Sequence, residues 1–104
     1  MFDLNGKCAL VTGASGGIGG AIASALHARG ATVGLSGTRK EALEAKAAEL
    51  GDRCHVLPCN LSDSDAVAEL IKQAVEAMGS VDILVNNAGI TRDNLAMRMK
   101  DDEW

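Results

Sequence analysis

The chain has 104 residues, of which 47% are hydrophobic, and a formal net charge of −4 at pH 7. This length allows one domain with a substantial core, and no apolar run is long enough to span a bilayer. The basic residues are scattered and there is one Phe and one Trp, a composition that argues against binding to nucleic acid.

Two further features bear on cellular location and on metal binding. Residues Met1–Asn5 lack the basic and apolar regions of a secretory signal, so we expect a cytoplasmic protein. The three cysteines form no C-x-x-C pair, and His55 would point to the opposite face of a strand from its neighbour Cys54. We therefore predict reduced structural thiols and no metal site.

The predicted elements alternate between strands and helices along the chain. Short apolar runs predict the strands, apolar residues at helical spacing predict the helices, and glycines end them. In chain order they are a strand at Lys7–Thr12, a helix at Ile18–Arg29, a strand at Thr32–Ser36, a helix at Glu41–Leu50, a strand at His55–Pro58, a helix that opens at Ser62–Asp65 and ends before Gly79, and a strand at Val81–Val85.

This order, β-α-β-α-β-α-β, predicts an α/β protein with a four-stranded, Rossmann-type, doubly wound parallel sheet. Lys100–Trp104 looks like the first turn of another helix, so we expect residues 1–104 to form a truncated, incomplete dinucleotide-binding domain. One edge of the strand at Val81–Val85 would then lack a partner. We therefore expect the isolated chain to self-associate or to pack loosely.

A glycine-rich turn with the sequence T-G-A-S-G-G-I-G joins the first predicted strand to the first helix. Gly13 permits a tight turn, Gly17 lets a pyrophosphate approach the backbone, and Gly19 lets the helix pack closely. Amides at the helix start would face the anion. The alternative is a turn without a ligand, whereas a P-loop is disfavoured because its Gly-Lys pair is absent. The candidate cofactor-binding residues in this turn are Gly13, Ala14, Ser15, Gly16, Gly17, Ile18 and Gly19.

The end of the second predicted strand indicates which nicotinamide cofactor would bind. NAD-binding proteins usually carry an acid there, whereas this chain has Thr38, followed by Arg39 and Lys40. A hydroxyl and a forked guanidinium suit the 2′-phosphate of NADP, so Thr38 and Arg39 are candidate NADP contacts. The alternative is that Thr38 and Glu41 form a capping box for the second helix, with Arg39 a solvated surface charge.

With N-N-A-G at Asn86–Gly89 added to the glycine turn, the chain resembles the short-chain dehydrogenase/reductase family. Residues Gly89–Lys100 and Trp104 look like the bacterial 3-oxoacyl-acyl-carrier-protein reductases of that family. The resemblance covers essentially all of this chain and less than half of a typical member.

Further cofactor contacts are implied by the resemblance. It places Asn60 and Leu61 beside the adenine and lines the cofactor cleft with Asn87, Ala88 and Gly89. Read without the family, Asn60 is a turn residue, and the asparagines after the fourth strand form turn hydrogen bonds. Many members also carry basic residues where this chain has Gly16 and Gly20. That departure weakens the indication for NADP.

The resemblance implies hydride transfer from NADPH to a ketoacyl thioester carried on acyl carrier protein, in fatty-acid synthesis. Members use a tyrosine for the proton, aided by a nearby lysine and serine, because the unperturbed pKa of tyrosine is about 10. These groups would lie beyond residue 104, and the chain contains no tyrosine. We therefore assign no catalytic residue and expect this chain alone to be inactive. Most of the interface of the family's homo-oligomer would also be missing.

Two other functions stay open on the sequence. One is a nucleotide-binding or interaction module without catalysis, which NADP-dependent turnover would eliminate. The other is part of a reductase of the same family that acts on a different alcohol or ketone. Only the likeness of the last residues to acyl-carrier-protein reductases speaks against it.

Overall fold

The computed structural model describes residues 3–59, 64–87 and 96–99, the last of these as backbone. Within these ranges, none of the helices is long and apolar enough to cross a membrane. The elements in chain order are β1 (Cys8–Val11), α1 (Gly17–Ala28), β2 (Thr32–Gly37), α2 (Lys40–Leu50), β3 (Cys54–Pro58), α3 (Ser64–Met78), β4 (Ile83–Asn86) and β5 (Ala96–Met99).

The strands form one sheet in the order β3-β2-β1-β4-β5. The first four are mutually parallel, which confirms the predicted α/β fold and its alternating strands and helices. The fifth strand was not predicted. It runs antiparallel to β4, with Val85 opposite Met97 in the register, so β4 is paired on both edges. The expectation of an unpaired edge at the fourth strand was therefore wrong.

Helices cover both faces of the sheet, as a doubly wound fold requires. On one face, β1, β2 and β4 contribute buried Val11, Leu35 and Val85, against which side chains of α1 and α2 pack. On the other face, Leu10 forms a second cluster with Leu70 and Ala74 of α3. Neighbouring residues of β1 thus point to opposite cores, the alternation expected of a strand buried on both faces.

The sheet order reverses at β1, which positions the candidate site. The chain passes from β1 to β2 on one side, and β4 returns to pair with β1 on the other. In open α/β sheets, ligands bind outside the carboxyl ends of the strands at such a reversal. The residues that follow β1, β2 and β4 are therefore brought together at the carboxyl ends of these parallel strands.

Candidate functional site

The glycine turn lies at the carboxyl end of β1, between β1 and α1, and backbone hydrogen bonds fix its conformation. Gly13 has a φ of +65°, a left-handed conformation that suits glycine. The N–H of Ala14 donates to the carbonyl of Ser36 in β2 at 2.8 Å, and the N–H of Gly16 donates back to Gly13 at 3.2 Å. The turn is therefore fixed to the neighbouring strand as well as closed on itself.

Gly19 is required by packing inside the protein. A β-carbon added there would overlap the carbonyl oxygen of Gly13 and would lie 2.8 Å from Nδ2 of Asn87. A β-carbon at Gly19 would thus be closer than a van der Waals contact to both Gly13 and Asn87. Only a glycine lets α1 approach the turn this closely. The close packing predicted at Gly19 is confirmed, and its partners are the turn and the residue after β4.

Gly16 and Gly17 are different, because the described part of the protein leaves space beside both. A β-carbon on Gly17 would meet no atom within 4 Å, and one on Gly16 would meet only the Gly13 carbonyl at 3.7 Å. Neither residue has a positive φ. Neither packing nor backbone conformation within the described residues therefore accounts for these glycines. The open space beside these glycines would allow a ligand group to lie directly against the backbone of the turn.

The start of α1 supplies donors for an anion. Gly16 is the N-cap and has no side chain, so no side-chain hydrogen bond caps the helix, and the first turn carries no acidic residue. The first amides of a helix have no partner within the helix. Together with the helix dipole they favour a negatively charged group at this position. The chain therefore provides both donors and space at this position, and the pyrophosphate site itself stays a prediction.

Asn87, the residue after β4, contacts the glycine turn. Its backbone N–H donates to the hydroxyl of Thr12 at 2.8 Å, and its Nδ2 donates to the carbonyl of Gly13 at 3.3 Å. The hydrogen bonds expected for a turn asparagine are thus present, and they place Asn87 at the candidate site. Asn60, Leu61, Ala88 and Gly89 lie outside the described residues.

Thr38 and Arg39 follow β2 and are both exposed. The capping box considered as the alternative role of Thr38 is not formed, because Arg39, not Thr38, is the N-cap of α2 and no side chain caps that helix. Arg39 reaches back across the site, and its Nη2 lies 3.3 Å from the carbonyl oxygen of Ser15. The structure therefore brings the guanidinium to the glycine turn, where a solvated surface charge had been the alternative.

The exposure of the remaining turn residues shows which of them a ligand can reach. Ala14 is 2% exposed and belongs to the core, whereas the Ile18 side chain is 67% exposed. Gly37 at the end of β2 was missed by the sequence analysis. A β-carbon there would lie 3.1 Å from Oγ of Ser15. The available sequence signal was a glycine directly before Thr38, at the end of the second strand. The periodicity of the strand does not show that this glycine contacts Ser15.

An open cavity of about 480 Å³ adjoins the turn and extends between α1 and α2. Its lining includes Ser15, Gly16 and Gly17 of the turn together with Lys46 and Glu49 of α2. Neither α2 residue was singled out in the sequence, because the Ala-, Glu- and Lys-rich pattern of this helix does not mark which lysine faces inward.

The three cysteines were predicted to be reduced structural thiols outside any metal site. All three are free thiols, and no group of three or more potential metal ligands occurs in the described ranges. Burial raises the pKa of the Cys59 thiol. Burial also raises the pKa of Cys54, with a further increase from the negative charge of Asp52 and an opposing effect of Arg53.

Curated relatives share nearly the whole of this chain. It is 62% identical over 104 residues to nodulation protein G of Rhizobium sp. (strain N33), covering 100% of the chain and 42% of that protein. It is 52% identical over 103 residues to the 3-oxoacyl-[acyl-carrier-protein] reductase FabG of Vibrio harveyi, covering 99% of the chain and 42% of that protein. The chain thus spans less than half the length of these relatives.

Two solved structures show the same fold with a nicotinamide cofactor. The RhlG/NADP active-site complex of Pseudomonas aeruginosa matches with a TM-score of 0.77 and 41% identity, over 86% of this chain and 37% of that one. The 3-ketoacyl-(acyl-carrier-protein) reductase of Brucella melitensis complexed with NADH matches with a TM-score of 0.74 and 34% identity, over 79% of this chain and 34% of that one. The family model described as short chain dehydrogenase matches residues 7–104, and the protein therefore belongs to that family.

Proposed function

We propose that the chain binds NADP(H) through the glycine turn and the start of α1. The observation that carries this proposal is the open position beside Gly17, next to a helix start without a side-chain cap. The pyrophosphate would lie against the backbone amides there, and Gly13, Ser15 and Gly16 would form the rest of its cradle. Bound there, the cofactor would supply a hydride, whereas the residues of this chain hold and orient the nucleotide.

A preference for NADP over NAD is the finer part of the proposal. Its support is the guanidinium of Arg39, which is exposed and lies beside the turn, together with the hydroxyl-bearing Thr38 in place of an acid. A guanidinium can hold a phosphate through two parallel hydrogen bonds, whereas it gains nothing comparable from a ribose hydroxyl. The solved relatives include complexes with NADP and with NADH, so the preference rests on these side chains.

The other cofactor contacts are proposed from the family resemblance. Asn87 would line the cleft, as its bond to the Gly13 carbonyl suits. Asn60 and Leu61 would flank the adenine, and Ala88 and Gly89 would line the cofactor cleft together with Asn87. Ile18 is exposed at the helix start, where its side chain can cover the bound nucleotide.

The reaction we propose for the whole protein is reduction of a 3-oxoacyl thioester on acyl carrier protein to the 3-hydroxyacyl thioester. It is supported by 52% identity to a reductase of that name from Vibrio harveyi. The 62% identity to nodulation protein G, whose name specifies no acyl-carrier-protein substrate, supports a second candidate: part of a family member that acts on a different alcohol or ketone. A cytoplasmic location and a homo-oligomer stay predictions.

Calorimetric titration of the chain with NADPH and with NADH tests the proposal. We expect both to bind, and NADPH to bind more tightly. Binding of neither would overturn the proposed function, and tighter binding of NADH would overturn the NADP preference alone. ATP is a suitable control ligand, because the turn lacks the lysine of a P-loop.

A further inference from the structure

Lys46 is a largely covered cation beside the proposed nucleotide site. Its side chain is 17% exposed, although it belongs to a surface helix, whereas that of Lys40 at the start of the same helix is 67% exposed. It lines the cavity that begins at Ser15, Gly16 and Gly17. The lysine therefore lies in the cavity between α1 and α2 and does not extend into solvent.

The position of the ammonium depends on missing side chains in α1. A β-carbon added to Gly20 would lie 3.6 Å from Cε of Lys46 and 3.8 Å from its Nζ. Gly20 lies one helical turn after Gly16, and residues four apart share one face of a helix. Because Gly20 carries no side chain, the end of the lysine can lie against this part of α1.

Lys46 and Arg39 can approach one ligand group from the same side. Arg39 is the N-cap of α2, and Lys46 lies within the helix seven residues later. That separation is about two helical turns, or roughly 10 Å along the helix axis. Arg39 is already beside the carbonyl of Ser15. Both side chains are long and flexible, so a phosphate between them is within reach of both.

The present partner of Lys46 is replaceable. Its Nζ lies 3.2 Å from Oε2 of Glu49, whose side chain is 66% exposed. A Lys–Glu pair three residues apart on a helix contributes only about 0.2–0.5 kcal/mol, and here the carboxylate is solvated. A dianionic phosphate in the cavity would compete with this single solvated carboxylate for the ammonium.

We propose that Lys46 is a specificity-determining residue that binds the 2′-phosphate of NADP together with Arg39, and that Glu49 competes with the phosphate for it. The inference rests on the proposed NADP(H) function and adds a residue to it. It makes the ion pair between Lys46 and Glu49 a regulator of NADP affinity. Binding of NAD, which has no 2′-phosphate, does not involve Lys46.

Calorimetric titration of Lys46→Gln with NADPH and NADH tests the role of the charge. We expect the Kd for NADPH to rise roughly tenfold or more, the loss of one charged hydrogen bond, while the Kd for NADH changes by less than about twofold. Lys46→Arg keeps the charge and should preserve the preference. Lys72→Gln is the matched control, because Lys72 is an exposed lysine on α3, which packs on the opposite face of the sheet.

Glu49→Gln provides a second test that partial unfolding cannot imitate, because it predicts a gain of affinity. We expect tighter NADPH binding in Glu49→Gln and little or no such gain when Lys46→Gln is also present. Equal changes for NADPH and NADH in Lys46→Gln, or no change in either, would overturn the inference while leaving the nucleotide site in place. If the unmodified chain binds neither nucleotide, the proposed function fails first and this inference fails with it.

Discussion

The backbone N–H of Asn87 donates a hydrogen bond of 2.8 Å to the hydroxyl oxygen of Thr12. The two residues follow adjacent parallel strands, and Thr12 is only 3% exposed. The hydroxyl also lies 3.3 Å from the carbonyl of Val85 and 3.3 Å from Oδ1 of Asn86. One buried hydroxyl therefore joins the ends of β1 and β4 directly beside the glycine turn.

Thr12→Val should destabilise the fold, because it keeps the side-chain shape but leaves the N–H of Asn87 without its acceptor. The expected loss is about 1–3 kcal/mol in the free energy of unfolding, measured by urea denaturation. Thr12→Ser retains the hydroxyl and serves as the control, with a smaller loss from one missing methyl group. Equal stability of the valine variant and the unmodified chain would show that this hydrogen bond contributes nothing.

Arg39→Ala should weaken binding of NADPH by about 1–3 kcal/mol, the contribution of a charged hydrogen bond, and should leave NADH almost unaffected. Arg39→Lys should weaken NADPH binding less than Arg39→Ala does, since lysine keeps the positive charge without the forked guanidinium. Calorimetry with both cofactors gives the difference. Equal losses for NADPH and NADH would show that Arg39 supports the turn through Ser15 and does not read the 2′-phosphate.

Cys54 and Cys59 should react slowly with iodoacetamide near neutral pH. Burial raises the pKa of both thiols, so less of the reactive thiolate is present than in an exposed cysteine, and alkylation should accelerate only at higher pH. Asp52→Asn removes a charge that raises the pKa of Cys54, so it should speed alkylation at that site only. Mass spectrometry of the peptides measures each rate. Faster reaction at both cysteines would point to general loosening instead.

The 104-residue chain should not reduce acetoacetyl thioesters with NADPH. The resemblance assigns proton transfer to a tyrosine, and the chain contains none. The measurement is NADPH oxidation at steady state. Turnover that disappears in Gly13→Asp would contradict the prediction, because it would have to come from the proposed nucleotide site and not from a contaminant.

The parts of the fold that were predicted carry strong local signals. Buried strands such as Cys8–Val11 are short apolar runs, and the glycine spacing after Thr12 requires a turn followed by a helix. The antiparallel strand Ala96–Met99 has no such signal. Its pairing with β4 depends on a neighbouring edge formed elsewhere in the chain, which a local pattern cannot reveal.

The sequence likewise predicted some features of the candidate site and not others. The open space beside Gly17 followed from the motif, whereas the inward direction of Lys46 depends on where α1 and α2 meet. The capping box at Thr38 is not formed, although its sequence pattern is complete. Arg39 takes the N-cap position, so the helix starts one residue later than the pattern requires.

Gly17→Ala and Gly19→Ala together test whether the glycine turn binds a dinucleotide. Within the described residues, a β-carbon on Gly17 meets no atom within 4 Å, so Gly17→Ala should leave the free energy of unfolding unchanged or raise it by up to about 1 kcal/mol. Gly19→Ala would collide with Gly13 and should lower it by about 1–3 kcal/mol.

The decisive measurement is the affinity of Gly17→Ala for NADPH and NADH, made beside its unfolding curve. We expect both cofactors to bind at least roughly tenfold more weakly, a loss of about 1.4 kcal/mol or more, in a protein that is as stable as the unmodified chain. Unchanged affinity for both cofactors in a fully stable Gly17→Ala variant would contradict it, because the nucleotide would then not lie against this backbone.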